Sequence, residues 1–85
     1  MKRYTIVFAP KAKKEVDRLP SKIKTRIANA LDILAFNPFL GKALKADLKG
    51  LYSYRIGDYR IIYDILKDKL IIEIIKVMHR REVYR

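Results

Sequence analysis

Hydrophobic and polar residues alternate from 2 to 9, with Tyr4, Ile6 and Phe8 on one side, and this period of two predicts a first strand. Pro10 suits the first turn of a helix. Ala12, Val16 and Leu19 return on one face of that helix until Pro20 closes it. Ser21 stands as the expected N-cap of a longer helix. Its apolar stripe is Ile23, Ile27, Ala30, Leu31 and Leu34, with Lys22, Lys24 and Arg26 on the other faces. Asn37-Pro38 ends it, because a residue before proline avoids the helical region. Residues 39–50 are lysine-rich, contain Gly41 and Gly50, and read as a loop or a ragged helical turn. Three strand-like runs follow at 51–56, 59–66 and 69–78, separated by Gly57-Asp58 and Lys67-Asp68. Two tight turns between three strands predict an antiparallel meander. No repeat, linker or low-complexity stretch interrupts the order. The expectation is one α+β domain over 1–85, with both helices on one face of a twisted antiparallel sheet and the other face partly open.

The register of the meander sorts its side chains. With Gly57-Asp58 as a two-residue loop, Ile56 faces Tyr59, Arg55 faces Arg60 and Tyr54 faces Ile61. A two-residue loop at Lys67-Asp68 then puts Arg60 beside Ile75. Parity assigns Tyr52, Tyr54, Ile56, Tyr59, Ile61, Tyr63, Ile65, Leu70, Ile72 and Ile74 to the face under the helices. It assigns Ser53, Arg55, Arg60, Ile62, Asp64, Glu73, Ile75, Val77 and His79 to the opposite face. Two arginines directly across from one another repel, and nothing in folding asks for that pair. A bound polyanion rewards it, since guanidinium forks fit phosphate oxygens. Asp64 or Glu73 on the same face would neutralise one arginine in a surface network. For both arginines, with His79 on their side, an anion site is the better reading. His79 is the only histidine, at the end of the last strand beside Arg80. A lone histidine is more often structural than catalytic, and Tyr84 reads equally as a plug in the core or as a site residue.

Charge sharpens this picture. A formal net charge of +11 on a 10.0 kDa chain creates a field that attracts polyanions, with affinity that falls in salt. Nucleic acid ranks ahead of a membrane surface, because the aromatics sit in strands and no basic amphipathic helix stands alone at an end. An acidic protein partner is compatible with either. Half of the residues are hydrophobic, enough for a core. The absence of cysteine excludes disulfides, thiolate metal sites and thiol nucleophiles, and fits a reducing compartment. The N-terminal apolar run is too short for a signal sequence and no stretch approaches a membrane span, so a cytoplasmic protein is expected.

The run Leu51-Tyr52-Ser53-Tyr54-Arg55-Ile56-Gly57-Asp58-Tyr59-Arg60-Ile61-Ile62-Tyr63 resembles the second and third strands of RelE/ParE-superfamily toxins. The ending Lys76-Val77-Met78-His79-Arg80-Arg81-Glu82-Val83-Tyr84-Arg85 is similar to the tail of the RelE branch. The resemblance spans essentially the whole chain and implies a microbial-ribonuclease-like fold with two N-terminal helices. It implies a type II toxin that cuts mRNA in the ribosomal A site and so inhibits translation. The cut proceeds by attack of a ribose 2′-hydroxyl on the adjacent phosphate, giving a 2′,3′-cyclic phosphate, with no metal and no cofactor. It also implies an acidic, RelB-like antitoxin as partner. Carried over residue by residue, Arg60 sits on the scissile phosphate, and Arg80 does the same and assists the leaving oxygen. Tyr84 stacks on a base or takes the 2′-proton, His79 is the alternative base, and Arg55 supports Arg60. Many RelE relatives have a second basic residue where this chain has Ser53, so Lys45 or Lys49 is expected to replace that cation. Ser53, Lys45, Lys49 and Arg81 complete the expected RNA-binding set. Met78 stands where a small residue is expected. The rival expectations are a ParE-like poison of DNA gyrase without nuclease chemistry, or a catalytically impaired relict.

Overall fold

A computed structural model describes residues 3–80. Strand β1 (Thr5–Phe8) is followed by helices α1 (Pro10–Asp17) and α2 (Ser21–Phe36). A two-residue strand β2 (Lys42–Ala43) precedes the meander β3 (Tyr52–Ile56), β4 (Tyr59–Leu66) and β5 (Ile71–His79). Short 3-10 turns occupy Pro38–Leu40, Ala46–Leu48 and Lys67–Lys69. The expected α+β order holds, with two additions. The stretch read as a loop supplies the edge strand β2, and the sheet order is β1-β5-β4-β3-β2. β1 runs parallel to β5, with Thr5 beside Ile71 and Phe8 beside Ile74, while the other pairings are antiparallel. The sheet is therefore mixed, with β1 laid against β5.

Pro10 occupies the start of α1 as expected. Ser21 is not an N-cap: it is the first helical residue of α2, Pro20 holds the cap position, and no side chain caps the helix. The proline cannot donate a hydrogen bond, but its carbonyl accepts the N–H groups of Ile23 and Lys24, which starts the helical ladder. From α1 and α2, Ala12, Ile27, Ala30, Leu31 and Leu34 pack on Ile61, Tyr63, Ile72, Ile74 and Val77 of the sheet. Each fully buried Leu or Ile contributes about 1.5–3 kcal/mol relative to exposure. Tyr63 anchors the β2 end of this core. Its ring stacks on Tyr52 at 5.8 Å, and its hydroxyl donates to the Pro38 carbonyl at 2.7 Å. Burial, partly opposed by a backbone hydrogen bond from Gly41, pushes its pKa up to about 12. Among the described residues no helix is long and apolar enough to cross a membrane.

Candidate nucleic-acid interface

The β3–β4 hairpin turns on Gly57 and Asp58, with Ile56 facing Tyr59 and Arg55 directly opposite Arg60. Gly57 has φ +56°, and Asp58 does not, which is the pattern of a type II′ hairpin turn. Arg55 Nε donates to the Gly57 carbonyl at 3.1 Å, tying that guanidinium to the hairpin. Arg60 is half-buried. Neither arginine forms an ion pair among the described residues. The two acids assigned to this face stand across from one another, Asp64 opposite Glu73. They lie four residues along β4, about 13 Å away at strand rise, so a local network does not neutralise the arginines.

β5 departs from the expected register twice. The β4–β5 connection holds four residues rather than two: Leu66 faces Ile71, and Leu70 leaves the strand in the left-handed region at φ +54°. That change moves the register by two and preserves the faces. The second change does not. A β-bulge lets Ile62 face Lys76 and Tyr63 face Ile74, leaving Ile75 as the extra residue. Beyond the bulge the faces exchange. Val77 enters the core beside Ile61, and His79 faces Tyr59 on the helix side, ring edge to face at 5.0 Å. Arg60 therefore lies beside Met78, not Ile75, and His79 does not share its face. The Val77 N–H donates to Glu15 Oε1 of α1 at 3.2 Å, so a helix carboxylate braces the bulge. The signal was present in the sequence. Unbroken alternation would bury Lys76 and expose Val77, an exchange that one inserted residue reverses.

Arg80 continues the ladder to the hairpin tip. Its N–H donates to the Asp58 carbonyl at 2.6 Å, and its guanidinium stands 4.0 Å from the Asp58 carboxylate. This brings Arg80 to the hairpin that carries Arg55 and Arg60. Ser53 is buried on the open face, opposite Ile62 on one side and Lys42 on the other. Lys45 and Lys49, exposed in the β2–β3 connection, are not the cations across from Ser53. That position belongs to Lys42, in a strand too short to show a period. Arg81 and Tyr84 lie outside the described residues. Among the described residues no group of three or more His, Cys, Asp or Glu side chains is placed to hold a metal ion.

The profile of the ParE toxin of the type II toxin–antitoxin system parDE matches residues 6–84. The chain belongs to the RelE/ParE family of type II toxins. This toxin is 38% identical to Toxin RelE of Mycobacterium tuberculosis, covering 96% of this chain and 87% of that one. It is 33% identical to Toxin RelG of the same organism over 96% of this chain and 97% of the relative. Its fold is similar to the crystal structure of the toxin–antitoxin complex RelBE2 from Mycobacterium tuberculosis. The TM-score is 0.88 at 32% identity, with 94% of each chain covered. The toxin thus shares with these relatives both a sequence pattern along nearly its full length and the two-helix, five-stranded architecture.

Proposed function

We propose that this toxin is an endoribonuclease that cuts mRNA on the ribosome and thereby stops translation. The observation that carries the reading is the Arg55–Arg60 pair. Two arginines stand directly opposite one another in the sheet, neither in an ion pair among the described residues, and Arg80 is held at the same hairpin. Such a cluster is suited to a phosphodiester whose charge grows in the transition state. In this reading a ribose 2′-hydroxyl attacks the adjacent phosphorus as its proton leaves to a base, and the P–O5′ bond breaks. The products are a 2′,3′-cyclic phosphate and a 5′-hydroxyl that takes up a proton. Arg60 binds the phosphate, Arg55 supports it, and Arg80 offsets charge on the leaving oxygen. No step asks for a metal or cofactor. Of the two candidate bases Tyr84 is favoured, because His79 stands across the sheet from Arg60, against Tyr59. The RelBE2 complex of a relative supports a RelB-like antitoxin as partner, and the net charge of +11 favours an acidic one.

The test is primer extension on programmed ribosomes. Wild type is expected to cut within the A-site codon. Arg60→Ala and Arg80→Ala should each lose on the order of 10²–10³ in rate, the usual cost of removing one preorganised charge-stabilising group. Tyr84→Phe should lose roughly 10²–10⁴ and His79→Gln much less. Absence of cleavage by folded wild type, with supercoiling by gyrase inhibited instead, would replace this reading by the ParE-like one.

A further inference from the structure

The open face carries a second row of cations beside the arginine pair. Lys42, Ser53, Ile62 and Lys76 stand abreast across β2, β3, β4 and β5, and the neighbouring row is Arg55, Arg60 and Met78. The middle of the lysine row is nearly closed to solvent, with Ser53 at 8% and Ile62 at 6% exposure. A lysine stands at each end: Lys42 exposed, Lys76 half-buried. Neither forms an ion pair among the described residues. Lys76 is on this face only because the bulge at Ile75 turns it there. Lys76 thus stands half-buried in line with another row of cations, a repulsion that a bound anion would offset.

We infer that Lys42 and Lys76 form a second phosphate-binding row that holds the linkage next to the one held by Arg55 and Arg60. The rows are two residues apart along each strand, about 6.5–7 Å. That separation matches the step between successive phosphates of an extended single strand. Lysine suits this place, since a bound but unreacting phosphate needs a point charge more than a rigid fork. The row also accounts for Ser53: the cation absent from the middle of the row is divided between its two ends. The inference rests on the nuclease reading for the identity of its ligand, a single-stranded RNA.

The experiment measures binding of a fluorescently labelled single-stranded RNA oligonucleotide by anisotropy over a salt series. Wild type is compared with Lys42→Ala/Lys76→Ala and with Lys14→Ala/Lys24→Ala, which removes equal charge from the exposed helix surface. Each lost phosphate contact lowers the slope of log Kd against log salt by roughly 0.7, so the sheet double variant, which gives up one linkage, should lose about 0.7. The helix double variant should lose far less, and Lys76→Arg should restore the contribution of that position. Equal slope changes in the two double variants would overturn the second row. Ribosomal cleavage is followed in parallel with Arg60→Ala. If wild type does not cut but the slopes separate as stated, the nuclease reading falls and the phosphate row stands. If wild type cuts, Arg60→Ala does not, and the slopes coincide, the row falls alone.

Discussion

At the scale of single residues, the tightest constraint lies away from the arginines, where Tyr63 meets Gly41. A side chain at Gly41 would place its first carbon well inside van der Waals contact of the Tyr63 hydroxyl. That hydroxyl is fixed by its bond to Pro38 and by complete burial of the ring. Gly41→Ala should therefore cost about 3 kcal/mol, the upper end for overpacking a site that cannot yield, read by urea denaturation. Tyr63→Phe removes the hydroxyl and leaves the Pro38 carbonyl without its donor, a loss of about 1–3 kcal/mol. The same hydroxyl predicts a pH effect. Its folded pKa is raised to about 12, so its contribution is complete below pH ~10, where the unfolded tyrosine also keeps its proton. Above that the unfolded chain gives up the proton first, and stability falls by up to ~1.4 kcal/mol per pH unit until the folded group titrates. Denaturation midpoints of wild type should decline more steeply between about pH 10 and 12, the span between these pKa values, than those of Tyr63→Phe.

At the scale of elements, the decisive feature is the bulge in β5. Glu15→Ala leaves the Val77 N–H without its acceptor and should cost about 1–2 kcal/mol. Glu15→Gln retains a carbonyl acceptor and should lose less than half of that. Hydrogen exchange at the Val77 amide separates this local loosening from a general one. Ala46 makes the opposite prediction. It is exposed and held at φ +56°, so Ala46→Gly should stabilise by about 0.5–1 kcal/mol in the same denaturation assay. These elements also show what the sequence could and could not disclose. The hairpin at Gly57-Asp58 was legible because a two-residue loop leaves one register, and Arg55 opposite Arg60 followed from it. The stripe of α2 was legible because Ile27, Ala30, Leu31 and Leu34 keep a helical period long enough to establish a face. Two features were hidden for physical reasons: β2 has two residues and no period, and the partner of β1 is set by the packing of the whole sheet. The bulge has no turn residue to announce it and shows only in the misplaced parity of Lys76 and Val77, so simple alternation puts His79 on the face of Arg60, whereas it is found with Tyr59.

At the scale of the whole molecule, charge and topology pull in different directions. The net charge of +11 opposes compaction and favours any acidic partner. The association rate with an acidic antitoxin is expected to fall roughly tenfold or more between low and high salt in stopped-flow measurements, while dissociation changes less. A rate indifferent to salt would mean that apolar contacts govern the encounter. Topology sets a different limit, one of time. β5 lies between β1 and β4, yet it is made after both of them, and Thr5 has no sheet partner until Ile71 exists. At a synthesis rate of roughly 5–20 residues per second, several seconds separate the two. Through that interval Ile6 and Phe8 have no sheet to join, and the arginine hairpin has neither Met78 nor Lys76 beside it. The basic face is thus completed only once β5 has been made, and a chain halted before residue 71 keeps both arginines but lacks the strand that completes their face.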